Sequence, residues 1–262
     1  MLLTKKIKIP YMKKLRIASL MAVFAFLVIS ASAQKKYTLR VNPDSGKKIS
    51  QNLVMTMDID AAGQKMVTDL NMGFDITNTT KKDNIFAFDL KYTGINMKMN
   101  MAGMDMTYDS KNPEANEFSK QMHATLGKLL ENSISFNVDQ LGKSSDIKLP
   151  EGINMPFDKS MFENITTVLP EQPIKIGDSW TSKTESDDSG ISVENKMTLI
   201  EANELGYKVN VEGKMFGPDA NQVGNVQGFY VLDKKTCLTT STEMTSAVDM
   251  PEAKIKTTLK TQ

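Results

Sequence analysis

The sequence predicts a mainly β protein: a single curved antiparallel sheet or half-barrel with two helical interruptions. Three observations carry that expectation. Apolar and polar residues alternate with period two over most of the chain beyond residue 36. Turn chemistry such as "AAGQK", "GPDANQ" and "MPEA" recurs between the alternating runs. Helical spacing appears in only two stretches, and neither a low-complexity linker nor a strict repeat divides the chain.

The first 33 residues read differently from the rest. Lys5, Lys6, Lys8, Lys13, Lys14 and Arg16 precede an apolar run from Ile17 to Ile29, and Ala31-Ser32-Ala33 comes next. A basic start, a short apolar segment and an A-x-A site form the pattern of a secretory signal peptide. The apolar run is shorter than the roughly 20 residues needed to span a bilayer. Residues 1–33 are therefore expected to be a signal peptide cleaved near Ala33, and residues 34–262 a single antiparallel β domain. The expected location is periplasmic or extracellular, soluble, with no transmembrane anchor.

Removing that segment changes the charge. The whole chain has 32 basic and 31 acidic residues, and six of the bases lie before residue 34. What remains has 26 bases against 31 acids, and Arg40 is its only arginine. Bidentate phosphate or guanine recognition favours arginine, so no nucleic-acid partner is expected. Cys237 is the single cysteine, which excludes an intrachain disulfide and leaves packing to hold the fold.

Tyr37, Leu39 and Val41 alternate in a first short strand. Ile49, Leu53, Met55, Met57 and Ile59 share one face of the next, and Met66, Leu70, Met72, Phe74 and Ile76 line the returning strand. Phe86, Phe88, Leu90 and Tyr92 continue in even register, whereas Ile95, Met97, Met99 and Met101 are odd. That one-residue shift calls for a bulge, and Gly94 is the place for it. A helix near 113–131 is expected to start with Asn112 as N-cap and Pro113 at its first position. Phe118, Met122, Leu126, Leu129 and Leu130 make its apolar stripe. Strands resume at "ISFNV" and "SDIKL". A second helix is expected near 158–168, presenting Met161, Phe162 and Ile165. Six further strands come after it, from "SWTSK" to "KIKTTLK".

Exported, antiparallel strands interrupted by an amphipathic helix resemble the curved half-barrels of lipoprotein carriers (the LolA/LppX-like architecture). The methionine-rich early meander, "YDSKNPE" before the helix, "PIKIGDSW" and "VLDKKTCL" also resemble an uncharacterised secreted family of Bacteroidetes-type bacteria, a domain of unknown function. Those motifs are turn and packing signatures. "DKKTC" departs from that family's pattern, with Cys237 where a turn glycine is expected. The half-barrel resemblance implies that acyl chains lie under the sheet.

The segment "NMKMNMAGMDMTYD", residues 96–109, holds five methionines. A two-residue turn at Ala102-Gly103 pairs Met101 with Met104, Met99 with Met106 and Met97 with Tyr108, so all five share one face; a four-residue loop through Met101 and Met104 leaves Met97, Met99 and Met106 aligned. Thioethers favour Cu(I), and three of them, Met97, Met99 and Met106, form the candidate copper site. Met55, Met57, Met66, Met72, Met122, Met161, Met197 and Met215 lie on other apolar faces, however. An enrichment that broad argues for packing or for an adaptable cavity wall.

Other candidates are weaker. Gly177-Asp178-Ser179 has the look of a hydrolase nucleophile block, but the one histidine, His123, lies upstream and no acid–His pair comes after the serine. Asp58, Asp60, Gly63 and Asp69 match part of an EF-hand spacing, yet their flanks alternate like strands. "ESDDSG" reads as a polar loop. Neither a dinucleotide fingerprint nor a phosphate loop is present, and no cofactor is expected.

The leading expectation is an exported, non-enzymatic protein that binds a lipid or acyl chain. Met97, Met99, Met101, Met104, Met106, Phe86, Phe88, Phe118 and Met122 would line the cavity, with the first helix as lid. A Cu(I) protein using Met97, Met99 and Met106, and an envelope-assembly protein that meets another envelope protein, are the alternatives.

Overall fold

A computed structural model describes residues 35–150, 166–185 and 190–261. The chain divides into two compact units, Met1–Tyr37 and Thr38–Gln262. The expected signal peptide lies outside the described residues, and the second unit carries the whole sheet.

Twelve strands form one antiparallel sheet: β1 (Lys48–Ala61), β2 (Gln64–Lys82), β3 (Ile85–Met101), β4 (Met104–Asp109), β5 (Ser133–Asp139), β6 (Ser144–Lys148), β7 (Ser179–Glu185), β8 (Ser192–Ala202), β9 (Tyr207–Phe216), β10 (Gln222–Leu232), β11 (Thr239–Met250) and β12 (Ala253–Thr261). The order is β6-β5-β3-β2-β1-β12-β11-β10-β9-β8-β7, with β4 pairing β3 beyond the end of β5. The first and last strands meet in the middle, so an N-terminal meander and a C-terminal meander are joined by the β1–β12 ladder. The sheet is open, not closed into a barrel.

Strict alternation carries rows of side chains across the sheet. One inner row runs Tyr108–Met97–Leu70–Met55–Leu259–Met244 over six strands. The outer face is polar, with rows such as Asp58–Lys256 and Glu194–Lys214. The expected change of parity in β3 occurs where Gly73 faces Gly94 and Phe74 faces Tyr92, leaving Thr93 as the extra residue. The bulge puts Phe86, Phe88 and Leu90 on the same face as Ile95, Met97 and Met99.

Two neighbouring residues show how far the sheet rolls. The Val41 amide donates to Gln140 O (2.9 Å), just past β5, and the Asn42 amide to Thr236 O (3.0 Å), just before β11. Those strands are five spacings apart in the sheet order, about 24 Å along a flat sheet at ~4.8 Å per strand. Consecutive residues reach both only because the sheet curls toward itself at this end. The end is plugged by Leu39, Val41, Phe86, Val138, Leu169 and Leu232, all buried. Arg40 holds the plug, its guanidinium donating to Pro170 O and Glu171 O.

The structure corrects two expectations. Leu39 and Val41 alternate in burial as a strand would, but Thr38–Val41 is irregular and stands outside the sheet as a strap. The helix α1 covers Glu117–Glu131, four residues later than Pro113 suggests. Asn116 is its cap, accepting from the Ser119 amide at 2.8 Å, and Asn112 instead closes a preceding turn. Of the second expected helix, residues 158–165 lie outside the described residues, while Thr166–Val168 are not helical.

Candidate functional site

Along β3 the inner face passes from closed core to open rim. Phe86 is 0% exposed, Met97 8%, Met99 half-buried and Met101 37%. β4 repeats the gradient from the buried Tyr108 through half-buried Met106 to Met104 at 61%. The register is Met97 with Tyr108, Met99 with Met106 and Met101 with Met104. Ala102 (φ 52°) and Gly103 (φ 85°) form the two-residue turn that fixes it.

The helix α1 packs against β3 and β4, reaching β4 at Thr107 and Tyr108. Its amphipathic stripe buries Leu126 and Leu129 and leaves Phe118 and Met122 half-buried. Tyr108 Oη and His123 Nδ1 share a hydrogen bond of 3.0 Å. Burial, with the nearby Asp109 carboxylate, holds the Tyr108 phenol above its ordinary pKa, so the phenol stays protonated. Gly127 makes room for the ring: a Cβ there would lie 3.2 Å from the imidazole. The helix is therefore joined to β4 by Tyr108–His123 and, at its cap, by Asn116 donating to Thr107 O.

The nine residues expected to line a cavity do not lie in one place. Met97, Met99, Met101, Met104 and Met106 climb toward the rim, and Phe118 and Met122 are half-buried on the helix that packs against β3 and β4. Phe86 and Phe88 sit in the plugged end, where Phe88 stacks on Phe136 at 5.6 Å and borders a cavity of about 40 Å³. The same face holds Tyr92, edge-on to Phe74, and burial pushes its phenol up to about 12. Sequence reasoning missed that Met57, Met66 and Ile59 adjoin the Met99 and Met101 rows. Their shared parity was visible, but which strand flanks β2 is fixed only by the sheet order.

Two larger recesses are charged. One of about 690 Å³ adjoins the β1–β2 and β11–β12 tips, combining the Ile59–Ile255 row with the polar pairs Asp58–Lys256 and Asp60–Lys254. The other, about 900 Å³ on β7–β10, alternates Lys183, Glu194 and Lys214 with Lys196 and Glu212. Neither has the uniform charge that would select an ion.

Ser179 bonds Thr198 on the outer face (2.8 Å), whereas His123 bonds Tyr108 under α1, so the two do not form a nucleophile–base pair. Asp58, Asp60, Gly63 and Asp69 belong to the β1–β2 hairpin, where Asp69 accepts from Thr56. Among the described residues no group of three or more His, Cys, Asp or Glu side chains converges to hold a metal. None of the described helices is long and apolar enough to cross a membrane. Cys237 is buried at the plugged end, and burial raises its thiol pKa.

The fold is similar to that in a solved structure titled for lipid–protein interactions in lipovitellin, at TM-score 0.57 and 11% identity. The match covers 83% of this chain, which spans only 25% of the lipovitellin chain. A Vibrio parahaemolyticus domain named for outer membrane lipoprotein sorting matches at TM-score 0.29 and 7% identity, over 81% of this chain and 85% of its own. A DUF1329 family protein from Desulfovibrio piger ATCC 29098 matches at 0.26 and 6%, over 82% and 85%. No curated protein matches the sequence. A family model does match, over residues 83–154 and 151–250, and the chain belongs to that family of unknown function, DUF6263.

Proposed function

We propose that this protein is an exported, non-enzymatic binder of a lipid or acyl chain. The ligand lies against the inner face near the Met99–Met106 row, with α1 as a lid. The observation that carries the reading is the exposure gradient: one apolar face, plugged at one end, rises to half-exposed methionines at the other. Unbranched thioethers adapt to variable chains better than a rigid aliphatic wall does. The fold likeness to lipovitellin, whose structure is titled for lipid–protein interactions, supports the same reading. Met97, Met99, Met101, Met104, Met106, Phe118 and Met122 are the proposed contact residues, and Phe86 and Phe88 the base on which the site rests.

The test is native mass spectrometry of the protein recovered from its own cell envelope without detergent. Adducts of lipid mass, lost on denaturation, are expected. A bare protein that also takes nothing from lipid vesicles would overturn the reading in favour of an envelope-assembly role. A second reading rests on the register itself: Met99 faces Met106 directly, and Met97 is in the next row. Stoichiometric copper retained under reducing conditions, and lost when all three are replaced by leucine, would favour it.

A further inference from the structure

Four described residues have enclosed side-chain polar atoms without a hydrogen-bond partner: Thr68, Asn78, Asn195 and Thr261. All four lie on the inner face, since their cross-strand partners are Met99, Phe88, Gly213 and Leu53 respectively. Other inner-face groups are paired: Gln51 donates to Thr239 O, and Tyr108 shares a hydrogen bond with His123. An orphaned polar atom is costly, and unpaired atoms on a face where other polar side chains find partners call for an explanation.

Thr68 is the one placed among the methionines. It is 4% exposed, and the register sets Met57 on one side of it and Met99 on the other, with Met106 beyond. Met66 and Leu70 flank it along its own strand on the same face. A valine would fill this site without an orphaned hydroxyl and suits a strand at least as well. The hydroxyl is held under side chains with three rotatable bonds each, which can move aside for a ligand.

We infer that Thr68 is a specificity-determining residue, and that its hydroxyl donates to the carbonyl oxygen of an acyl ester. The inference rests on the proposed lipid site and narrows its ligand class from any apolar chain to one with a carbonyl beside the chain. A hydrocarbon chain gives Thr68 nothing. An ester carbonyl supplies an acceptor for the hydroxyl, inside an apolar surround that strengthens the bond. Recognition then comes from the group that would otherwise remain unpaired, which is how buried polar atoms discriminate between close analogues.

The test is a competition between two long-chain lysophospholipids of equal chain length, one an acyl ester and one an alkyl ether. They share a headgroup and differ in the carbonyl. Bound ratios are read by native mass spectrometry on wild type and on Thr68→Val. Wild type is expected to favour the ester by roughly five- to tenfold, the worth of one hydrogen bond. Thr68→Val is expected to bind both alike, and to unfold at an equal or higher denaturant concentration, which shows the fold intact. Equal binding of ester and ether by wild type would overturn the inference, as would an ester preference that survives in Thr68→Val. A water on the hydroxyl would give that first result. If wild type binds neither lipid, the lipid site itself is wrong and Thr68 has no such role.

Discussion

Ala102 occupies left-handed backbone (φ 52°) in the turn that sets the methionine register, and Ala62 does the same in the β1–β2 turn. For an L-residue with a Cβ this conformation costs about 1 kcal/mol, while asparagine tolerates the region through its short polar side chain. Ala102→Asn is expected to raise stability by roughly 0.5–1 kcal/mol, read as a higher urea midpoint at unchanged m-value. A loss of stability would mean the side chain has a packing role in the tip. Cys237 is a third such case, at φ 52° with its side chain buried. The expectation of a glycine at 237 thus had a physical basis in the backbone. The pairing of Met97, Met99 and Met101 with Tyr108, Met106 and Met104 was legible because a two-residue turn leaves no freedom of parity. The partnerless hydroxyl of Thr68 was not, because satisfaction depends on neighbours from β1 and β3.

The loop that holds Cys237 depends on one carboxylate. Asp233 accepts from the amides of Lys235 (3.0 Å) and Thr236 (2.7 Å) and from the Thr236 hydroxyl (2.8 Å). Burial opposes its ionised form, but these donors outweigh burial and hold the carboxyl below its ordinary pKa. Its stabilising contribution is therefore fully present above the unfolded value near ~4 and is lost as pH falls through the lower folded value. Asp233→Asn is expected to flatten the acid limb of the stability curve below about pH 4 and to cost about 1–2 kcal/mol at neutral pH. An unchanged acid limb would assign acid sensitivity to other carboxylates.

At the scale of elements, α1 packs on a sheet that does not need it for its own ladders. Leu126 and Leu129 supply its buried contact and Asn116 its cap. Leu126→Ala is expected to cost about 2–4 kcal/mol, and Asn116→Ala about 1 kcal/mol. Hydrogen exchange should show that cost mainly as faster opening of Glu117–Glu131, with β9 and β10 still protected. Uniform loss of protection would make the helix part of the global core. Its existence and apolar stripe were legible from spacing. Its start was not, because Asn112-Pro113 and Asn116 are competing signals, and Asn112 was taken up by a tight turn. Thr38–Val41 misled in the opposite sense. Its alternation reported burial correctly, but a strand also needs a free ladder, and this segment crosses a curled sheet end.

At the scale of the whole molecule, the described sheet consists of two meanders joined by their most distant strands. β7 to β12 succeed one another in sheet order, as do β1 to β3, and the β1–β12 ladder pairs Leu53–Ala61 with Thr261–Ala253. Loop entropy opposes that long-range ladder. At the plugged end the strap adds a second connection, with Val41 bonded to Gln140 and Asn42 to Thr236. No comparable strap crosses the methionine end among the described residues, so there the two halves depend on the ladder alone. Thr257 sits in the ladder between Met57 and Ser246, within the inner row that includes Thr68. Thr257→Pro removes a ladder donor from a central strand, at a cost of about 3 kcal/mol or more. The expected result is selective: amides of Met55–Ala61 and Ala253–Thr258 exchange quickly, while Val209, Leu232 and Val138 at the plugged end remain slow. The proposed lipid binding should weaken with the open-end ladder, because Thr257 continues the Met99–Thr68–Met57 row onto β12. If the plugged end loses protection to the same degree, the strap does not hold the halves together and the sheet is one cooperative unit.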